Sequence, residues 1–79
     1  MKVRLKLFAV FRRYLPPGTQ GNACYVELLD GAQVSDLLSQ LDLPEKGSLM
    51  ILVNGRDAGP DRVLQDGDVV AVFPAVAGG

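Results

Sequence analysis

The amino-acid sequence predicts an α+β fold in which one helix covers one face of a β-sheet. Segments with the apolar patterns of strands lie on both sides of a single segment with helical periodicity. Their order is strand, strand, helix, strand, short strand, strand, which suits a two-layer roll. The chain has 79 residues, of which 48% are apolar. Residues 1–79 are therefore expected to form one domain around one core.

The first predicted strand runs from Lys2 to Ala9. Apolar and polar residues alternate along it, and the residues at 3, 5, 7 and 9 are expected to face the core. Phe8 is the exception, because it is an aromatic residue on the charged side. A short helical turn over residues 10–15 follows. Pro16-Pro17 ends this turn, since the residue before a proline is disfavoured in the helical region.

A second strand is predicted over Cys24–Leu29, followed by the main helix over Val34–Leu43. Apolar residues at 34, 37, 38 and 41 have the spacing of an amphipathic helix. Asp36 suits the first turn, where a negative charge complements the helix dipole. Gln33 stands at the N-cap although it is not a favoured cap residue. Pro44 is expected to end the helix.

The remaining strands follow the helix. The continuous apolar run Leu49–Val53 predicts a central strand, and Asn54-Gly55 is a strong hairpin signal before a short return strand at Arg56-Asp57. Val63-Leu64 suggests one 3₁₀ turn. The last strand is predicted over Val69–Phe73, after a turn.

Composition excludes several kinds of chemistry. There is no histidine and only one cysteine, so a histidine-dependent triad, a Cys/His metal site and an internal disulfide are not expected. Cys24 is predicted to be a packed thiol, and Asp66 and Asp68 are predicted to serve a turn rather than acid/base catalysis. The net charge of −1 indicates neither a nucleic-acid nor a membrane partner. Without a signal peptide or spanning segment, we predict a cytoplasmic protein that binds no metal or cofactor.

The sequence closes with Pro74-Ala75-Val76-Ala77-Gly78-Gly79. This segment is predicted to be a flexible tail that ends in a free carboxylate, with a reach of roughly 20 Å when extended. Such an arm could carry its carboxylate into a partner's active site, where the glycines would let the site close around it. A partner would have to activate the carboxylate, typically by adenylation. The alternative is a frayed, inert terminus.

The whole chain resembles the MoaD/ThiS family of ubiquitin-like sulfur carriers. The ending FPAVAGG looks like the MoaD ending F-P-P-V-x-G-G, with Ala75 in place of the second proline, and Gln33 replaces the usual Thr or Ser cap. The segments that carry the resemblance, in the family's order, are VRLKLFA, RRYL, GAQVSDLL, LVNG, LQDGDVV and FPAVAGG.

This resemblance implies a β-grasp fold, with a mixed sheet and one main crossing helix. It also implies that a ubiquitin-activating-like adenylyltransferase uses ATP to adenylate Gly79, and that a sulfur donor then converts it to a thiocarboxylate. The carrier, which is not an enzyme alone, would thread Val76, Ala77 and Gly78 into the large subunit of molybdopterin synthase. Its sulfur would build the dithiolene of molybdopterin, for the molybdenum or tungsten cofactor.

In a β-grasp fold the first and last strands are adjacent and parallel. Phe8 and Phe73 are therefore expected to form an exposed partner-binding patch with Pro74 and Leu52 near the tail; the alternative places Phe73 in the core. Three other functions remain open: a sulfur carrier for thiamine thiazole or another sulfurated metabolite, a ubiquitin-like modifier of lysines, and an interaction domain with an inert tail. The Phe73-Pro74 pair favours the molybdopterin role over the thiazole role.

Overall fold

The computed structural model describes residues 1–41 and 49–74. Within them, a five-stranded sheet packs against one short α-helix. The elements are β1 (Lys2–Leu7), a 3₁₀ helix (Ala9–Tyr14), β2 (Ala23–Glu27), α1 (Val34–Ser39), β3 (Leu49–Val53), β4 (Arg56–Asp57) and β5 (Val69–Pro74). The predicted α+β class and element order are confirmed.

The strands lie in the order β2-β1-β5-β3-β4. The pair β1 and β5 is parallel, with Leu5 opposite Val70, and the other three pairs are antiparallel. The sheet is therefore mixed, as expected of a β-grasp roll. The prediction that Leu49–Val53 is a central strand is confirmed, because β3 is paired on both sides, with β5 and with β4; the middle position of the sheet belongs to β5. Strand order depends on pairing between distant segments, which hydrophobicity alone does not encode.

The core lies between the sheet and α1. Alternate residues of the two parallel strands face it, because successive side chains of a strand point to opposite faces. Full burial of a Val or Leu side chain favours folding by about 1.5–3 kcal/mol relative to exposure. The buried apolar residues are Val3, Leu5, Leu7, Phe11, Leu28, Val34, Leu37, Ile51, Val53, Leu64, Val70 and Val72.

The first two strands are shorter than predicted. β1 ends at Leu7, so Ala9 is not a core position as predicted: it is exposed, has φ of 54° and begins the 3₁₀ helix. β2 ends at Glu27; Leu28 is buried beyond it, whereas Leu29 is 86% exposed. In both cases the chain turns away before the alternating pattern ends.

The helix begins at Val34 as predicted. The Gln33 backbone N–H donates to the Asp36 carboxylate at 2.8 Å, which satisfies one of the helix's first donors without a favoured cap residue. α1 ends at Ser39 rather than Leu43, and Pro44 lies outside the described residues.

Val63-Leu64 does not form the predicted 3₁₀ turn. Val63 makes an isolated antiparallel bridge to Gln33, and the Leu64 N–H donates to the Ala32 carbonyl at 2.8 Å. The backbone here is extended because its hydrogen-bond partners lie in the segment before α1. Leu64 is buried by the same arrangement.

Candidate functional site

The face of the sheet opposite α1 carries the predicted partner-binding residues; we call it the outer face. Core residues alternate with outward residues on each strand, so the outward positions follow from the buried ones. Phe73 alternates with the fully buried Val72, which places its side chain on the outer face rather than in the core. The alternative placement of Phe73 beneath Pro74 in the core is therefore wrong.

Phe8 and Phe73 stack on each other. Their ring centroids are 4.3 Å apart and the ring planes differ by 9°. The parallel pairing of β1 with β5 brings them together, and the Phe8 N–H donates to the Val72 carbonyl at 3.1 Å. Both rings are half-buried. The aromatic residue that interrupts the charged side of β1 is thus explained by its partner at the end of β5.

Two residues of β3 extend this surface. Met50 lies opposite Phe73 and is 45% exposed, and Leu52 lies opposite Ala71 and is half-buried. We call Phe8, Phe73, Met50 and Leu52 the apolar patch. Leu52 was predicted for this surface, whereas Met50 was not. In β3, the outward residues Met50 and Leu52 alternate with the buried residues Ile51 and Val53. The sequence does not reveal this alternation, because all four residues are apolar.

Pro74 connects the apolar patch to the C-terminal segment. The tail was predicted to begin at residue 74, but Pro74 is the last residue of β5, opposite Leu49. A proline at the last strand position removes at most one ladder hydrogen bond, so the strand can include it. The predicted threading and sulfur-donor residues, Val76, Ala77, Gly78 and Gly79, lie outside the described residues.

The acidic turn before β5 has a structural role. Asp68 is buried and accepts hydrogen bonds from the Asn54 side-chain amide and the Gln65 N–H, both at 2.9 Å. Asp66 accepts from the Lys2 N–H at 2.7 Å. Both carboxylates bind donors of the fold, which confirms the prediction that they serve a turn.

Cys24 is half-buried and packs against the core, as predicted. Removal from water raises the pKa of its thiol, because burial disfavours the charged thiolate. Within residues 1–41 and 49–74, no cluster of three or more acidic or cysteine side chains is arranged to hold a metal ion. Over the same ranges, no helix is long and apolar enough to span a membrane.

Comparison with known proteins agrees with this fold along the whole chain. The family model of the ThiS family matches residues 5–79. Small archaeal modifier protein 3 of Haloferax volcanii is 34% identical, with both chains covered in full. The solved structure of a putative molybdopterin converting factor, subunit 1, from Pyrococcus furiosus is 36% identical, with a TM-score of 0.75 over 95% of this chain and 98% of the other.

A more distant structure shares the fold. It is a subunit from the complex of subunits 1 and 2 of the Helicobacter pylori molybdopterin-converting factor, with a TM-score of 0.65, 21% identity and full coverage of both chains. Together with the mixed five-stranded sheet and its crossing helix, the match over residues 5–79 identifies the chain: it belongs to the ThiS/MoaD family of ubiquitin-like sulfur carriers.

Proposed function

We propose that this protein is the sulfur carrier and small subunit of a molybdopterin synthase. The observation that carries the proposal is the position of the apolar patch, with Phe73 directly before Pro74 and the C-terminal segment. A partner that covers the patch would receive the tail at the same time. The relative from Pyrococcus furiosus is named as a molybdopterin converting factor subunit, which supports this reading of the shared fold.

The chemistry takes place at the carboxylate of Gly79. A ubiquitin-activating-like adenylyltransferase joins this carboxylate to the α-phosphate of ATP and releases pyrophosphate. A sulfide equivalent from a sulfur donor then attacks the acyl carbon and displaces AMP, which leaves a thiocarboxylate. In the synthase, the sulfur passes to the pterin precursor, and water supplies the oxygen that restores the carboxylate. ATP and the catalytic groups belong to the partners in this scheme.

The apolar patch has the chemical character of a docking surface. Exposed aromatic and methionine side chains are enriched where partners bind, because each can bury a large apolar area. The Phe8–Phe73 stack also holds both rings in one orientation before a partner arrives, which lowers the ordering cost of binding. Pro74, itself half-buried, restricts the direction in which the tail leaves the sheet.

A second function, protein modification, is favoured by the relative from Haloferax volcanii, which is named a small archaeal modifier protein. The same acyl-adenylate would then be attacked by a lysine amine, with formation of an isopeptide bond and release of AMP. Both functions need the Gly79 carboxylate and an activating enzyme. They differ in the final nucleophile, which is sulfur in one case and nitrogen in the other.

The proposal is tested by measuring the intact mass of the protein after incubation with its activating enzyme, ATP and a sulfur donor. We expect the mass to rise by the difference between one sulfur and one oxygen atom, only when all three components are present. A variant lacking Gly79 is the matched control and should keep its mass. An unchanged mass for the full chain, under conditions where the enzyme releases pyrophosphate, would contradict the proposal.

A further inference from the structure

The outer face carries a row of cations beside the apolar patch. Lys2, Arg4 and Lys6 are successive outward residues of β1, and Phe8 follows directly after that strand. Neighbours in such a row are about 6.6 Å apart along the strand. The row thus leads from the far end of the sheet to the apolar patch without a break.

Two of the three cations have no acidic residue opposite them in the neighbouring strands. Among the described ranges 1–41 and 49–74, no carboxylate lies within ion-pair distance of Lys2, Arg4 or Lys6. Lys2 differs, because it lies opposite Glu27 and its ammonium group is 5.8 Å from the centre of the Tyr25 ring. The register partners of Arg4 and Lys6 in the two neighbouring strands are all uncharged: Tyr25, Val69, Ala23 and Ala71.

An open groove lies at the Lys2 end of the row, where Lys2 and Arg4 both line it. It has a volume of about 410 Å³, enough for side chains of another molecule. Tyr25, which lines one side of the groove, is 68% exposed, so its ring is available for contact with aliphatic groups of another molecule. The residues that line the groove are Lys2, Arg4, Tyr25, Asp66, Gly67 and Val69.

We propose that an acidic segment of the partner protein docks along Arg4 and Lys6 while an apolar part of the same partner covers the apolar patch. This inference rests on the proposed function, in which that partner receives the tail. It specifies the partner's chemistry: an apolar cluster flanked by at least two carboxylates, spaced to meet cations about 6.6 Å apart. Two carboxylates on alternate residues of a strand, or on neighbouring turns of a helix, have suitable spacing.

The surroundings favour a protein over a nucleic acid as the occupant. Glu27 and Asp66 lie beside the Lys2 end of the row, which leaves only Arg4 and Lys6 for anionic groups and suits a short acidic segment better than an extended phosphate backbone. The net charge of the chain is −1, whereas nucleic-acid-binding domains are typically basic. The row also continues into the apolar patch, which suits a protein interface with an apolar centre and a charged rim.

Charges at the rim of an interface act mainly on the rate of association. Their field orients the partner before contact, and salt screens it, so the association rate constant should fall as ionic strength rises. The cationic row lies on the face that must meet the partner, while the net charge of the whole chain is slightly negative. The row would therefore select one orientation of approach rather than raise attraction overall.

The first experiment measures association of the protein with the large subunit of molybdopterin synthase by stopped-flow fluorescence. Salt is raised from about 0.01 to 0.1 M, over which the Debye length falls from roughly 30 to 10 Å. The double variant Arg4→Glu with Lys6→Glu should associate about tenfold or more slowly at low salt and lose the wild-type salt dependence. Arg56→Glu with Arg62→Glu makes the same charge change on exposed residues away from the row, and should change the rate much less.

Equal slowing of both double variants would overturn the inference, because net charge alone would then explain the effect. An unchanged rate for the Arg4/Lys6 variant, together with weaker binding of Phe73→Ala, would overturn the acidic-partner inference while supporting the proposed docking face. Absence of binding by the wild type would instead overturn the proposed function.

A second experiment does not depend on the identity of the partner. Hexaglutamate is titrated into isotope-labelled protein at low salt, and amide chemical shifts are followed by NMR. We expect shifts around Arg4, Lys6 and Tyr25 in the wild type and none in the Arg4/Lys6 variant. Shifts spread evenly over all exposed cations would overturn the inference. So would tighter binding of a short oligothymidylate at the same residues, which would indicate a nucleic acid.

Discussion

The two ends of β5 are held by different chemistry. At its start, Asp68 and Asn54 form a polar clip: the Asn54 side chain donates to Asp68, and its oxygen accepts from the Val69 N–H at 3.0 Å. At its end, Phe73 stacks on Phe8 and both rings remain half-exposed to solvent. The first arrangement satisfies its polar groups within the fold, whereas the second leaves apolar area uncovered. We therefore expect the start of the strand to contribute mainly to stability and its end to contribute mainly to binding.

The clip shows why the start of β5 is fixed. Asn54 has φ of 53° and Gly55 has φ of 83°, which are the signs required at the two central positions of a type I′ hairpin turn. This turn places the Asn54 amide over the start of β5, where the Asn54 N–H also donates to the Val69 carbonyl at 2.8 Å. One residue therefore closes the β3–β4 hairpin and attaches it to the central strand.

The largest expected effect is on sulfur transfer, and it comes from a substitution in the C-terminal segment that follows β5. Changing Gly78 to valine should abolish sulfur transfer, because a branched side chain would block a partner's active site from closing around the tail. Stability should stay that of the wild type, since Gly78 lies outside any predicted core pattern. The measurement is a reconstituted transfer assay paired with urea unfolding. Wild-type transfer by Gly78→Val would contradict the threading of the tail.

At the clip, the prediction is a loss of stability without a loss of binding. Asp68→Ala leaves the Asn54 amide and the Gln65 N–H without their acceptor, and should lower the free energy of unfolding by about 2–3 kcal/mol. Asp66→Ala is the matched control in the same turn: it loses one exposed hydrogen bond and should cost about 0.5–1.5 kcal/mol. Urea unfolding checks both variants. A smaller loss for Asp68→Ala than for Asp66→Ala would refute the comparison between the two ends.

At the apolar patch, we expect a loss of binding affinity that is larger than the loss of stability. Phe73→Ala should weaken binding to the large synthase subunit by about 1–3 kcal/mol, a typical cost for a central interface aromatic. Its effect on unfolding should be smaller, about 0.5–1.5 kcal/mol for the loss of the aromatic pair. Titration calorimetry and urea unfolding measure the two quantities, with the exposed Leu29→Ala as a control that should change neither. A large loss of stability with unchanged affinity would mean that the ring serves the core.

The smallest effect concerns Cys24, opposite Leu5 on the inner side of β2. Because burial raises the pKa of its thiol, less reactive thiolate is present at a given pH than in an unfolded chain. Alkylation by iodoacetamide at mildly alkaline pH should therefore be slower in the native protein than in urea. Mass spectrometry over time gives both rates. Equal rates would contradict this expectation and show that β2 opens readily enough to expose Cys24 to solvent.

The fold could be predicted from the sequence wherever the signal is local. Three predicted features depend only on neighbouring residues, and the structure confirms them: the alternation in β1, the Asn54-Gly55 turn and the bounds of β3. Phe8 was found as an exception to a local pattern, whereas its partner Phe73 followed from the parallel pairing of the first and last strands that the family resemblance implies.

Features that depend on distant segments were missed. The extended conformation of Val63 is due to its bridge with Gln33, and the central position of β5 is due to its pairing with both β1 and β3. Asp68 could be assigned to a turn from its neighbours, but its hydrogen bond to Asn54, fourteen residues away, could not be predicted.

The predicted end of α1 was wrong for a different reason: helical periodicity continues past Ser39 in the sequence, although the helix ends there.

The most direct test of the account follows the sulfur itself. Protein carrying a thiocarboxylate at Gly79 is mixed with the large synthase subunit and the pterin precursor, and its intact mass is measured over a single turnover. We predict that, with at least two carriers per precursor to supply the two sulfur atoms, the mass returns to that of the carboxylate form as a dithiolene product appears, and that Phe73→Ala slows both changes together. Retention of the sulfur on Gly79, with the protein appearing instead in isopeptide-linked conjugates, would contradict the molybdopterin role and favour protein modification.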